Sequence, residues 1–243
     1  MTAPDAASGE RDVSDLWHLR HIDWLAELGG TAPEAPARGT VERRFERGEM
    51  VFAPTPNPHS VYVLGSGLVR IYRLSESGAE TSFGYVAPGE VSGELPIFDD
   101  CPRESFAQAV RPSVVWKVPR DAFRRLLAER PGLVIQVTKQ IGGRLKRIES
   151  RVEHLVFRTV RARVARMLIE LAEDFGRREA GRVVIDIPIT QGEFATLVGA
   201  TRQTVNQTLR EFVDRGLIGR EHQHIALFKQ DELLQLATLP LDE

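Results

Sequence analysis

The chain has 243 residues, a formal net charge of -2, 42% hydrophobic and 27% charged residues. That balance suits one large or two small water-soluble domains and excludes a uniformly basic surface, so any nucleic-acid contact must come from local patches. No apolar run is long enough for a membrane span, and a single cysteine, Cys101, excludes an intrachain disulfide and a four-cysteine metal site. The opening stretch MTAPDAASGERDVSD has neither the basic start nor the apolar core of a signal peptide, which predicts a cytoplasmic protein.

In chain order, residues before about Val13 carry little to bury and read as disordered. From Ser14 a helix is predicted, with Leu16, Leu19, Ile22, Leu25 and Leu28 at three-residue steps and Gly29-Gly30 ending the pattern. From Val41 to Val118 the periodicity changes to short strand-like runs: VERRF, MVFA, VYVLGSGLVRIYRL, TSFGYVA, FAQAV and VVWKV. Turn residues separate them, which predicts a compact antiparallel barrel or roll. Leu68 to Tyr85 reads as a hairpin closed by SESGAE.

Helical patterning returns with Asp121 to Ala128, broken at Pro131-Gly132. In the next and longest helix, Val134, Ile141, Leu145, Ile148, Val152 and Leu155 form an a/d seam with basic flanks at Lys139, Arg144, Lys146, Arg147 and Arg151. A single seam needs a partner, either its own roll or the same helix of a second subunit; its narrowness favours the second subunit, with each roll also touching the helix. Phe157-Arg158-Thr159 reads as a hinge, Thr159 as the cap of another helix ending near Gly176, GRREAGR as a polar turn and VVIDIPI as a strand.

The segment TQGEFATLVGATRQTVNQTLREFVDR then carries two short helices. Thr190 and Glu193 form a capping box, Gly199 a left-handed stop, and Thr201 the cap of the second helix. Val205, Leu209, Phe212 and Val213 mark its buried side. Two helices joined by a tight glycine turn make a helix-turn-helix, whose second helix enters the DNA major groove. Its first turns offer Thr201, Arg202, Gln203, Asn206 and Gln207; arginine pairs bidentately with guanine, and glutamine or asparagine with adenine. After Gly216, Leu217-Ile218 and His224 to Phe228 pair as a wing around EHQ, and Leu233, Leu234 and Leu236 form a short terminal helix. The alternative is an ordinary helical hairpin with a solvated polar face.

The expected architecture is α+β: an antiparallel β-roll over 13–132, a dimerisation helix over 133–157 and a winged helix-turn-helix over 159–243. With GEVSGELPIF, RESFAQAV and ITQGEFATLVGATRQTVNQTLREFVDRGLI, the chain resembles the cyclic-AMP receptor protein/FNR family of transcription regulators. The resemblance runs from about Val13 to Leu236. It implies a roll like that of cyclic-nucleotide-binding domains, a homodimer on palindromic double-stranded DNA, RNA polymerase as a further partner, and a small-molecule effector sensed in the roll. It also implies that Thr190 touches phosphate and Arg202 a base. Gln203 stands where the family's base-reading glutamate does and Gln207 where its second arginine does, so a changed half-site is expected.

The same resemblance locates an effector pocket. Gly93-Glu94-Leu95 matches the family's Gly-Glu-Leu, whose glutamate takes a ribose hydroxyl. A count without gaps puts Glu104-Ser105 on the Arg-Ser pair that holds the cyclic phosphate, with Arg103 one step away and facing the other side. A carboxylate there would repel a phosphate by roughly 4 kcal/mol at 4 Å and an effective dielectric near 20. Ile148-Glu149 occupies the positions of a Thr-Ser pair that meets adenine. Cyclic AMP is therefore not expected as a strong effector, and the FNR branch's cysteine cluster is lacking. Haem is another family sensor, for which His59, Cys101 and His154 are the ligands available; each also reads as an ordinary surface or core side chain. An enzymatic cupin-like roll is the competing class, but a metal centre there needs several histidines and His59 is the only one between Val41 and Val118. No nucleotide-binding loop or nucleophile motif is present, so neither catalysis nor a metal site is expected.

Overall fold

The computed structural model describes residues 39–221 and 224–239. The helix predicted over 14–28 and two residues of the wing tip, His222 and Gln223, lie outside the described residues. The first half is an antiparallel sheet of β1 (Val41–Phe45), β2 (Met50–Phe52), β3 (Ser60–Leu74), β4 (Glu80–Val86), β5 (Val91–Ser92) and β6 (Phe106–Pro119), with a one-turn helix α1 (Leu95–Asp99) before β6. Strand order is β1-β6-β3-β4, with β2 on β6 and β5 on β3. FAQAV and VVWKV, expected as separate strands, merge into β6 across Pro112. A proline in a ladder needs a place where no N–H is required. The β3–β6 register slips there, between Leu64 and Val69. Gly67 supplies the bend at φ 97°, where a Cβ would fall 2.2 Å from Ser113 Oγ. The β3–β6 ladder is thus irregular at its middle and regular on either side.

Alternation along β3 then serves two cores. Tyr62, Leu64 and Val69 join Phe52, Val86 and Val115 inside the roll. Val61 and Val63 face outward onto Phe123, Leu126 and Leu127 of α2 (Arg120–Glu129). Only Arg130 separates α2 from α3 (Pro131–Phe157). Pro131 starts α3 rather than ending anything, because the first turn needs no N–H there. Leu133, Val137 and the partly buried Ile141 seat α3 on the roll.

Two extended residues, Arg158 and Thr159, join α3 to α4 (Val160–Phe175), and Thr159 accepts the Ala162 N–H as the predicted cap. GRREAGR is not a turn throughout. It forms β7 (Gly176–Glu179) and the start of β8 (Arg182–Ile185), joined by Ala180-Gly181. Both linking residues have positive φ, 43° and 81°, the requirement of a tight hairpin turn, and an alanine there gives no sequence signal. After α5 (Gln191–Val198) and α6 (Arg202–Asp214), β9 (Ile218–Glu221) and β10 (His224–Leu227) form the wing, and α7 (Gln230–Ala237) packs back through Leu233 and Leu236. The second sheet has the order β7-β8-β10-β9. Leu168, Phe194, Leu209, Phe212 and Leu217 fill its core, which Leu68 and Val110 of the roll also enter. The C-terminal unit is thus seated directly on the sheet that precedes it.

Candidate nucleic-acid interface and sensing pocket

The helix-turn-helix is built by local rules. Thr190 Oγ1 accepts the Glu193 N–H at 3.2 Å, and Glu193 Oε2 accepts the Thr190 N–H at 2.8 Å. This reciprocal pair fixes the start of α5. Gly199 ends it at φ 69°, with the methyl groups of Leu155 so close that a Cβ would lie 2.6 Å from one of them. Thr201 caps α6 by accepting the Thr204 N–H at 3.2 Å. Val205, Leu209 and Phe212 are buried, so α6 turns its opposite side outward.

That outer side carries Arg202, Gln203, Asn206 and Gln207, the residues predicted to read bases, and also Arg210, which the sequence reading missed. The spacing that would have found it is the same helical step: Arg210 follows Gln203 by seven residues and Asn206 by four. Among the described residues, Arg202, Gln203, Gln207 and Arg210 are exposed and no hydrogen bond or ion pair engages them. Thr201 is different. Its hydroxyl caps α6 and meets Thr204 Oγ1 at 2.8 Å, so its role in this conformation is to start the helix. Asn206 is half-buried, and its side-chain oxygen has no hydrogen-bond partner among the described residues. Glu211, on the flank, is neutralised by Arg161 at 2.7 Å and Arg215 at 3.6 Å. Arg220 lies exposed on the wing strand β9.

The roll places its charged residues otherwise than the gapless count implies. Glu104 points out of the roll, its side chain 61% exposed and paired with Arg73 at 2.6 Å. Arg103 is the residue that points in. Its backbone pairs reciprocally with Thr55, and the loop before it contains Asp100 in the left-handed region, so the face is set one residue earlier than counted. The Arg103 guanidinium is buried, 4.4 Å from the Phe52 ring centre and 5.2 Å from that of Tyr62. Nη2 donates to Ser60 O at 2.6 Å and to Gly93 O at 3.1 Å. Burial lowers its pKa, opposed by Tyr62 and Glu94. Gly93 sits at φ 71°, with no room for a Cβ beside Arg103.

Glu94 is buried and bound to Arg144 of α3 at 3.1 Å. Arg144 also donates to Val91 O, while Gln140 accepts the Val91 N–H and donates to Gly89 O, each at 3.1 Å. Arg144 therefore belongs to the pocket edge as well as to the basic flank of α3, and Gln140 was not foreseen. Leu95 is exposed, Ser105 half-buried and Glu149 exposed. Ile148 lines a separate cleft of about 230 Å³ with Thr81, Phe83, His154 and Gly199, so the structure does not gather the predicted pocket residues into one place. Among the haem candidates, His59 is exposed, Cys101 half-buried beside α1, and His154 in that cleft, where burial lowers its pKa. Among the described residues no three His, Cys, Asp or Glu side chains converge as a metal site would require.

Along α3, Val134, Leu145, Ile148, Val152 and Leu155 are exposed in the single chain, as are Ile135 and Val156 beside them. Ile141, also in the predicted seam, is partly buried against its own roll. Leu155 also lies against Gly199. Among the described residues no helix is long and apolar enough to cross a membrane.

Residues 42–130 match the family model of the cyclic nucleotide-binding domain, and residues 162–236 that of the Crp-like helix-turn-helix domain. A CRP-like cAMP-activated global transcriptional regulator of Mycobacterium tuberculosis is 35% identical over 219 residues, covering 88% of this chain and 98% of that protein. The fumarate and nitrate reduction regulatory protein of Escherichia coli is 25% identical over 199 residues, covering 81% of this chain and 79% of that protein. Among solved structures, a CRP/FNR-family transcriptional regulator from Thermus thermophilus superposes with a TM-score of 0.69 at 27% identity, covering 82% of this chain and 99% of that one.

Proposed function

This chain belongs to the cyclic-AMP receptor protein/FNR family of transcription regulators, and from that premise we propose that it acts as a homodimer reading a palindromic DNA operator. The observation that carries the proposal is the outer side of α6, where Arg202, Gln203, Gln207 and Arg210 project with no internal partner on a helix whose other side is locked into the core. Unpaired donors and acceptors held on a rigid helix are what base edges in a major groove require. Thr190 at the start of α5 and Arg220 on the wing are the phosphate contacts that set register without reading sequence. The exposed apolar face of α3, led by Leu145 and Val152, is the dimer seam.

On this reading the roll over 13–132 senses, the helix over 133–157 dimerises, and the unit over 159–243 binds DNA. Double-stranded DNA, a second copy, RNA polymerase and a small effector are its partners, in the cytoplasm. With Arg103 inside the roll, an anionic effector is the class that fits, and Glu104 no longer weighs against a phosphate. Ile148 and Glu149 still offer no hydroxyl pair to adenine, so cyclic AMP is expected to bind weakly. Selection from random duplexes tests the main claim. An inverted repeat with half-site centres about one helical turn apart is expected. Enrichment of no motif, both with and without the small molecules that co-purify, would overturn it. Calorimetry with cyclic AMP tests the effector reading, which submillimolar binding with a matching gain in DNA affinity would reverse.

A further inference from the structure

The cleft of about 230 Å³ that Ile148 and His154 line is bounded by β4 of the roll, the last turns of α3, α4 and the end of α5. Phe83, Val152, Leu155, Met167 and Leu197 give it apolar surface. Arg151, Arg163 and Arg166 give it three cations, and Glu170 is the one carboxylate among the lining residues. Glu170 is already paired with Arg166 at 3.0 Å. Among the described residues Arg151 and Arg163 form no ion pair at all. Their hydrogen bonds go to backbone carbonyls: Arg151 Nη1 to Phe83 O at 3.0 Å, Arg163 Nη1 to Leu155 O at 3.3 Å and Arg163 Nη2 to Gly199 O at 3.2 Å.

Both arginines are partly buried, and the Nε of each is buried without a partner. Burial lowers both pKa values, in Arg151 against the opposing charge of Glu170. A cation taken out of water without a counter-charge is unfavourable, and a matching anion restores what was lost. Ser82 adds a neutral group. It lines the cleft, is 5% exposed, and its hydroxyl has no partner. Unsatisfied polar atoms are few in a native fold, and a group of them around one cavity calls for an occupant. Water would meet the hydrogen bonds but not the charge.

We propose that this cleft binds a small organic carboxylate, its charge received by Arg151 and Arg163 and its apolar body of one or two rings lying against Phe83, Met167 and Leu197. The planar fork of a guanidinium matches the two oxygens of a carboxylate. The volume falls below the about 300–1,000 Å³ of a pocket for a drug-sized molecule, which sets the size of the ligand. The site is separate from the interior of the roll, where Arg103 lies, and from the outer side of α6, and it needs neither. A second copy on the α3 seam would cover Ile148, Val152 and Leu155 and enclose the cleft further. Arg151, bonded to the roll, and Arg163, on α4, are not seam residues.

The test is calorimetry of the full-length protein with 1-naphthoate. Beside it stand 1-naphthamide, the uncharged counterpart, and inorganic phosphate, an anion without an apolar body. Naphthoate should bind saturably, one per chain, and the other two about tenfold or more less tightly. Arg151→Met should weaken naphthoate by about tenfold or more. Thr81→Trp should weaken it to a similar degree by filling the rim, and Thr81 is exposed, so the fold should tolerate the change. Arg103→Met, inside the roll, should leave it unchanged. Absence of saturable binding would remove the site. Equal binding of acid and amide would show that the arginines do not receive the ligand, and phosphate binding as tightly as naphthoate would remove the apolar half of the proposal. Binding lost in Arg103→Met but kept in Arg151→Met and Thr81→Trp would place the ligand in the roll and overturn the assignment to this cleft.

Discussion

The outer side of α6 and the interior of the roll both present arginines, but in opposite conditions. Arg202 and Arg210 stand in solvent without partners, whereas Arg103 is buried against two rings and two carbonyls. A free donor on a fixed helix can bind an external acceptor without giving up anything inside the protein. A buried donor must exchange its internal partners for those of a ligand, so only the difference between the two sets appears as affinity. On the proposed reading, the first site needs no internal exchange, whereas an anionic ligand at the second would have to replace the Ser60 and Gly93 carbonyls as partners of Arg103.

The largest expected effect concerns the premise that the first site acts in duplicate. Replacing Leu145 and Ile148 together with glutamate should give monomers at low micromolar concentration, seen by light scattering. Operator affinity should fall by about 2 orders of magnitude or more, because the second half-site contact ceases to be intramolecular. A double variant that stays dimeric would remove α3 as the interface.

Arg103→Met addresses the other side of the contrast. It leaves the Ser60 and Gly93 carbonyls without their buried donor, and should cost about 2–4 kcal/mol in urea unfolding. Base preference in a duplex selection should not change. A stability loss below the error of the measurement would mean that Arg103 is not held as described, and the distinction between the two arginines would collapse.

Arg202→Ala should do the reverse: leave the melting temperature alone, cost about 1–3 kcal/mol per half-site contact and relax the preference for one guanine. If variant and wild type enrich the same motif equally, Arg202 is not a reader. Val substituted for Thr190 should weaken all sequences alike.

The smallest effect concerns His154, in the cleft between the units. Burial is the leading cause of its lowered pKa, with Arg166 and Arg158 in the same sense and Glu170 and Glu153 opposed. The folded protein therefore holds this proton less readily than the unfolded chain. Its contribution to stability is present above about pH 6.5 and is lost as the pH falls below that. Thermal melts of His154→Gln and wild type between pH 7 and pH 5 should diverge on the acid side, the variant falling less. Taking the difference removes the opposite trend from Glu173, whose pKa burial raises. Parallel curves would mean His154 titrates normally.

The readability of the sequence follows the same division. Caps, the glycine stop and the buried stripe of α6 are signals confined to a few neighbouring residues, so α5, α6 and most of their outward groups, though not Arg210, are legible in the sequence. The wing and the β3–β4 hairpin are equally local. The interior of the roll is not. Whether Arg103 or Glu104 points inward depends on a left-handed Asp100 and on pairing with Thr55, 48 positions upstream. A gapless count cannot see either, and it inverted the charge of the pocket. Gln140 and Arg144 were hidden for a related reason: their partners in 89–94 lie about fifty residues away, and an amphipathic pattern shows which side is polar but not what it meets. The seam over α3 was legible as a stripe, yet Ile141 and Leu155 are drawn partly into their own chain by surfaces no periodicity encodes.

The two extended residues between α3 and α4 have a mechanical consequence. Arg158 and Thr159 together carry four backbone torsions, and a change in any of them turns everything downstream as one piece about a point fixed to the end of α3. A helix the length of α4 is about 24 Å long, so a turn of about 10° carries a point at that distance by about 4 Å. The step between neighbouring base pairs is about 3.4 Å. A turn of about that size at the joint would therefore shift a contact by about one base-pair step.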